Sequence, residues 1–159
     1  MARLRPLAKL QWTPLEKMHV TTKFIGEWPE QRLGEMKAAL ATVTSASPVD
    51  IAIRRIGWLP NPRFARVLYA GVEAGEALTA LAAATEKATG SLGIPPENRI
   101  FRPHVTLARV RDRVPLGDLK RALSETEFST IGSYQASSFA LYLSADGKYT
   151  KLQEFPLTK

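Results

Sequence analysis

The spacing of apolar residues along the chain predicts three helices. In the first, apolar residues recur at intervals of three and four, the repeat that lines one face of a helix. The second is rich in Ala and Leu and ends at a glycine that is soon followed by a proline, which is a common helix stop. We place these helices at residues 29–43, 75–93 and 116–125.

The remaining segments carry the alternating, β-branched and aromatic residues that favour strands. Asp146-Gly147 separates the last two of them and predicts a tight hairpin turn, whereas the two prolines in 59–64 predict a loop. We place the strands at residues 7–12, 18–25, 49–58, 65–72, 104–110, 134–144 and 149–155.

The order of these elements repeats, because each strand that contains a histidine is followed by a helix and then by another strand. We therefore expect an α+β fold of two pseudo-symmetric lobes, each a mainly antiparallel sheet with helices on its outer face. A cleft between the lobes would hold the functional site. Residues 1–159 are interpreted as a single two-lobed domain.

Composition narrows the class of protein. Hydrophobic residues make up 45% of the chain, which is enough for a substantial core, yet no run approaches the roughly 18 apolar residues of a membrane span. The N-terminal segment lacks the apolar centre of a signal peptide. The absence of cysteine excludes disulfides and thiolate metal sites. We expect a cytoplasmic protein with no membrane contact.

The net charge of +7 favours an anionic partner. The alternative is a basic face that is only solvated. The positive charge is densest around the second histidine, where one acidic residue, Asp112, opposes five arginines: Arg99, Arg102, Arg109, Arg111 and Arg113.

Both of the chain's histidines occur in the tripeptide His-Val-Thr. Alternate residues of a strand point to the same side, so His19 and Thr21 share a face, as do His104 and Thr106. Each strand then offers an imidazole and a hydroxyl on one side and apolar groups on the other. The alternative is that each histidine is merely structural or exposed.

Two imidazoles and two hydroxyls around an anion suit phosphodiester chemistry that needs no metal. An imidazole has a pKa near 6.5 in model peptides, so one ring can accept a proton while another donates one. Hydroxyls can donate to the non-bridging oxygens, where charge grows. Two histidines without a cysteine or a carboxylate at ligand spacing make a poor metal site, and no Gly-x-Ser-x-Gly motif supports a serine hydrolase. We expect no metal and no cofactor.

The contexts of the two motifs carry a family resemblance. "HVTTKFIGE" and "FRPHVTLAR" look like the paired His-x-Thr motifs of the bacterial RNA 2′,3′-cyclic phosphodiesterases, also called 2′-5′ RNA ligases, of the two-histidine (2H) phosphoesterase superfamily. The resemblance continues through "RFARVLYAGVE" and "FALYLSADGKYTKLQEFPL" and covers nearly the whole chain from Leu10. It implies a two-lobed α+β fold, His19 and His104 as catalytic residues, and Thr21 and Thr106 as phosphate ligands.

The resemblance also makes Arg109 a candidate substrate contact. Strict alternation gives Arg109 the parity of Val105 and Leu107, which are expected in the core. The arginine therefore needs a bulge, or the end of the strand, to reach the site. The alternative is a surface arginine.

The implied substrate is an RNA or nucleotide with a 2′,3′-cyclic phosphate, opened to a 2′-phosphate, and reverse 2′-5′ ligation is possible. Two alternatives stay open: a nucleotide- or RNA-binding module of the same fold without turnover, and a 2H enzyme for small cyclic nucleotides or 2′-5′ oligoadenylate. Aromatic residues that could stack on a base are Trp58, Phe64 and Tyr142, although each also suits the core. Phe24 is expected in the core by its parity.

The N-terminus departs from the family pattern. Members usually begin with a strand and a helix before the first motif, whereas 18 residues precede His19 here. We therefore expect that strand and helix to be missing. An unpaired sheet edge would then leave both a monomer and a homodimer open.

Overall fold

A computed structural model describes residues 3–43, 47–111, 114–126 and 131–157. The three α-helices are α1 (Leu33–Ala41), α2 (Gly75–Gly90) and α3 (Gly117–Ser124). Seven strands accompany them: β1 (Gln11–Trp12), β2 (Val49–Leu59), β3 (Val67–Glu73), β4 (His104–Arg109), β5 (Gly132–Ala136), β6 (Ser138–Ala145) and β7 (Lys148–Pro156). Short 3₁₀ turns lie at Arg5–Leu7, Leu15–Lys17 and Glu30–Arg32.

The strands form two antiparallel sheets. One has five strands in the order β1-β4-β3-β2-β5, and the other is the β6-β7 hairpin. The predicted α+β class with mainly antiparallel strands is confirmed. All three predicted helices and the predicted hairpin are present, and Asp146 and Gly147 both have positive φ at its turn.

Three predicted strands differ from the structure. Of residues 7–12, only Gln11–Trp12 form a strand, and Leu7 belongs to a 3₁₀ turn. Residues 18–25 were expected to form one strand, but only Val20 makes a bridge there. Residues 134–144 were also expected to be continuous, but they divide at Ser137 into β5 and β6, which belong to different sheets. Two adjacent serines, Ser137 and Ser138, interrupt the apolar alternation where the chain changes sheet.

The chain forms two compact units, each assembled from three separate segments. The first unit contains residues 1–20, 52–73 and 103–133, and the second contains residues 21–51, 74–102 and 134–159. Both histidines belong to the first unit. The boundary between the units falls within the first motif, between Val20 and Thr21.

Each unit has its own buried apolar residues. In the first unit, alternate residues of β3 and β4 are buried on one side of the sheet, among them Leu68, Ala70 and Val105. In the second unit, the hairpin packs with the helical segments through a cluster of buried residues: Met36, Leu40, Ile94, Leu141 and Phe155. Within the described part of the chain, every helix is too short or too polar to span a membrane.

Candidate active site

The candidate site is built on one face of β3 and β4 in the first unit. Directly paired residues of an antiparallel sheet share a face. Tyr69 pairs with Thr106, and Gly71 pairs with His104. The side opposite to the buried Ala70 and Val105 therefore carries Tyr69, His104 and Thr106, and we call this side the histidine face.

An isolated antiparallel bridge brings the first motif to the edge of β4. Val20 pairs with Val105, so the residues on either side of the bridge lie opposite each other and His19 stands beside Thr106. Diagonal neighbours on adjacent strands lie about 7–8 Å apart. The register therefore makes His19 and His104 diagonal neighbours on the histidine face.

The ring of His19 is oriented by the backbone that precedes it. Its Nδ1 lies 2.8 Å from the carbonyl oxygen of Lys17. A carbonyl only accepts, so Nδ1–H is the donor, and Nε2 is the nitrogen that can exchange a proton with a substrate. The 3₁₀ turn Leu15–Lys17 supplies this carbonyl. His19 is exposed.

The half-buried ring of His104 packs against Tyr69. The two rings meet edge to face, with centroids 5.6 Å apart and an interplanar angle of 72°. Tyr69 in turn lies over Gly57 of β2, its paired residue, where an added Cβ would come within 2.8 Å of the phenol ring. Glycine at 57 thus leaves the space that the tyrosine needs beside the histidine. Sequence reasoning missed both residues, because neither carries a motif.

A β-bulge decides the direction of Arg109. Leu68 pairs with Ala108 and Tyr69 with Thr106, so Leu107 is an extra residue in β4. The bulge reverses the alternation beyond it. Arg109, which pairs with Val67, returns to the histidine face, and Ala108 is fully buried on the other side. Strict alternation, which placed Arg109 with the core residues, fails here because of this extra residue.

For the other candidate residues the structure gives their exposure and their place in the chain. Thr21 is half-buried and begins the second unit, directly after Val20 in the chain. Of the arginines near His104, Arg111 is exposed just beyond β4, and Arg113 lies outside the described residues.

The aromatic candidates for base stacking differ in exposure. Trp58 is buried, with 9% of its surface exposed, and belongs to the core. Phe64 and Tyr142 are exposed. Phe24, expected in the core, is 71% exposed, which corrects the prediction from parity. The parity argument fails because residues 21–25 do not form a strand.

A buried cation follows the first motif and was also missed. The Lys23 side chain is only 4% exposed. Its Nζ donates to Glu86 Oε1 of α2 and to the Pro95 carbonyl oxygen, each at 2.8 Å. Glu86 also accepts the backbone N–H of Glu97. This network fixes the residues after Thr21 within the second unit.

The chain matches known proteins over most of its length. The model of the family described as LigT like Phosphoesterase matches residues 1–69 and 71–149. An RNA 2′,3′-cyclic phosphodiesterase of Methanothermobacter thermautotrophicus is 30% identical over 155 residues, which cover 94% of this chain and 84% of that protein. One of the same name from Aeropyrum pernix is 33% identical over 147 residues, 89% of this chain and 83% of the relative.

Solved structures share the fold. A crystal structure of a Thermus thermophilus protein superposes with a TM-score of 0.77 at 27% identity, over 98% of this chain and 86% of that one. Escherichia coli LigT complexed with 3′-AMP superposes with a TM-score of 0.76 at 22% identity, over 99% of this chain and 87% of that one. At that identity the second likeness is one of fold.

Proposed function

This chain belongs to the LigT-like phosphoesterase family, and on that premise we propose that it hydrolyses RNA 2′,3′-cyclic phosphate ends to a 2′-phosphate. The family predicted from the two motifs is thereby confirmed. The observation that supports the proposal is the Val20–Val105 bridge, which puts His19 opposite Thr106 at the edge of β4 and thereby near His104.

The two histidines would perform the two proton transfers of the reaction. A neutral imidazole accepts a proton from the attacking water, whose oxygen forms a bond to phosphorus. The bond from phosphorus to the 3′ oxygen breaks, and a protonated imidazole gives that oxygen its proton. We assign His104 as the base and His19 as the acid. With its Nδ1–H held by Lys17, His19 presents Nε2 for this exchange.

Threonine and arginine side chains would stabilise the phosphoryl oxygens. The half-buried Thr106 lies opposite His19 and two residues along β4 from His104, so its hydroxyl can donate to a non-bridging oxygen where negative charge accumulates. We propose the same role for Thr21, two residues after His19. Arg109, turned to this face by the bulge, would add a charge-assisted hydrogen bond.

This mechanism uses side chains for both proton transfers, and we propose that it needs no metal ion. The partner would be an RNA or a nucleotide with a 2′,3′-cyclic phosphate. The structural relatives include Escherichia coli LigT in complex with 3′-AMP, ATP and NADP+. 2′-5′ ligation would use the same groups when a 5′-hydroxyl, in place of water, attacks phosphorus and the 3′ oxygen leaves as before.

The test is incubation of the protein with an oligonucleotide that ends in a 2′,3′-cyclic phosphate, in the presence of EDTA. We expect the product to gain the mass of one water and phosphorus NMR to identify a 2′-phosphate. The His104→Ala variant, purified in parallel, is the control for contaminating ribonuclease. A 3′-phosphate would falsify the assigned direction. Loss of turnover in EDTA that a divalent ion restores would contradict the two-histidine mechanism.

A further inference from the structure

We propose that Arg54 forms a second phosphate subsite on the histidine face, which binds the phosphodiester that precedes the cyclic end of an RNA substrate. The inference rests on the proposed function, because it names a further part of the same substrate. It makes the length of the RNA a determinant of specificity.

The register of three strands places Arg54 in line with His104. Arg54 of β2 pairs with Gly71 of β3, and Gly71 pairs with His104 of β4. Directly paired residues share a face, so the guanidinium and the imidazole rise from the same side of the sheet. Since neighbouring strands lie about 4.8 Å apart, the two Cα atoms are separated by about 10 Å.

The position between them has no side chain. An ideal Cβ on Gly71 would come within 2.8 Å of the Arg54 carbonyl oxygen, so the backbones approach too closely here for any other residue. The surface of the sheet between Arg54 and His104 therefore carries no side chain at position 71. A chain of nucleotides can cross it with one phosphate at the histidines and its neighbour near the guanidinium.

Arg54 reaches this face because β2 contains a bulge. The pairing shifts between Arg54 and Ile56, and Arg55 has a φ of +56°. That left-handed conformation is unfavourable for a residue with a side chain. Without the bulge, Arg54 would share the side of Ile56, which pairs with Ala70 on the buried face. A bulge thus turns Arg54 toward the histidine face, as another turns Arg109.

Glu73 forms ion pairs with both arginines at the bulge, Arg54 and Arg55. Its Oε1 accepts a hydrogen bond from Arg55 Nη2 at 2.9 Å, while its Oε2 lies 3.4 Å from Arg54 Nη1. The hydrogen bond from Arg55 lowers the pKa of the Glu73 carboxyl, which stays ionised at neutral pH. A guanidinium has five N–H donors, and a contact of 3.4 Å is longer than a hydrogen bond. Arg54, with 46% of its side chain exposed, is thereby oriented and keeps donors for a phosphate.

The experiment compares two substrates that differ by one phosphate. A nucleoside 2′,3′-cyclic monophosphate has only the reacting group, whereas a dinucleotide with the same end has one phosphodiester more. We expect Arg54→Gln to lower kcat/KM for the dinucleotide about 10-fold or more, the loss expected of a hydrogen bond to a charged group, chiefly through KM. The mononucleotide should change less than about 2-fold on the same basis.

The matched control is Arg121→Gln. Arg121 is an exposed arginine of the same unit, also paired with a carboxylate, that of Asp118 in α3. The substitution removes the same charge at a residue of α3 that belongs to none of the strands of the histidine face, so both substrates should keep the wild-type kcat/KM.

Titration calorimetry with the dinucleotide 2′-phosphate, the product, repeats the comparison without turnover. Weaker binding to Arg54→Gln than to wild type and Arg121→Gln supports the subsite. Equal binding to all three proteins overturns it, as does an equal loss on both substrates. Failure of wild type to open either cyclic ester would contradict the proposed function instead, and the calorimetry would still decide the subsite.

Discussion

Val20 and Val105 form an isolated antiparallel bridge, and this one pair brings the two His-Val-Thr motifs together. The valines share the apolar side, so the residues next to them turn to the opposite side. His19 thereby lies beside Thr106 at the edge of β4, with His104 two residues away on the same face. Both histidines belong to the same compact unit, so no domain movement is needed to bring them together.

Removal of either imidazole should abolish most turnover. We expect His19→Ala and His104→Ala each to lower kcat by about 10²–10⁴-fold, the contribution of one acid–base group. Both variants should remain folded, because the Val20–Val105 contact is unchanged. Initial rates on a cyclic-phosphate oligonucleotide and circular dichroism check the two statements. The wild-type rate should pass through a maximum in pH, since one ring must be neutral and the other protonated.

Two substitutions of Thr106 test the contribution of its hydroxyl to the rate. Thr106→Val keeps the shape but removes the donor, and should cost up to about 10²–10³-fold in kcat, whereas Thr106→Ser should recover most of the rate. Full activity of His104→Ala would contradict the placement of the site on this face.

The separate roles of the histidines can be tested with the leaving group. A cyclic ester whose departing oxygen needs no protonation makes the acid unnecessary but still requires a base. We therefore expect such a substrate to restore the rate of His19→Ala and to leave His104→Ala inactive, as measured by single-turnover kinetics. Rescue of His104→Ala alone would reverse the assignment.

Arg109 should contribute to binding through its charge. Arg109→Gln is expected to raise KM for an oligonucleotide about 10-fold, which is the loss of one charged hydrogen bond. The dependence of KM on salt should also become less steep, because one phosphate contact is gone. Arg111→Gln is the control, since Arg111 is exposed beyond the end of β4. Identical salt slopes for all three proteins would place Arg109 away from the substrate.

The contact between Gly57 and Tyr69 predicts the effect of a single methyl group. In Gly57→Ala, the new Cβ would lie 2.8 Å from the phenol ring, and such overpacking costs about 1–3 kcal/mol in the free energy of unfolding. Displacement of Tyr69 should also move the ring resonances of His104 in NMR spectra and lower kcat.

Gly34→Ala is the matched control for that substitution. Gly34 lies inside α1 with no atom near its missing Cβ, so alanine there should stabilise by about 0.4–1 kcal/mol and leave kcat unchanged. The double variant Gly57→Ala/Tyr69→Leu should regain stability without regaining kcat. Equal melting temperatures for Gly57→Ala and wild type would show that the ring moves away at no cost.

The buried Lys23 should depend on its countercharge. Glu86→Gln keeps an acceptor for the Glu97 N–H but leaves the ammonium of Lys23 without a carboxylate, and should cost about 1–3 kcal/mol. Chemical denaturation measures this loss. Glu35→Gln removes the carboxylate of an exposed pair with Arg32 and should change stability by less than about 1 kcal/mol. Equal effects of the two substitutions would mean that Lys23 is hydrated.

The sequence by itself determined the local elements and the chemistry. Helical spacing located α1, α2 and α3, and Asp146-Gly147 located the hairpin, because these depend on residues that are close in the chain. The paired His-Val-Thr tripeptides and the residues around them carried the family resemblance, and these too are stretches of neighbouring residues.

Only the tertiary structure decided which faces meet. Bulges at Leu107 and Arg55 turn Arg109 and Arg54 to the histidine face, and each is defined by pairing with another strand. The exposure of Phe24 has a similar cause. A segment becomes a strand only where a partner backbone accepts its hydrogen bonds, and after Val20 the chain is held by Lys23 instead. The alternation of residues within one segment carries no information about its pairing partners, because those partners are far away in the sequence.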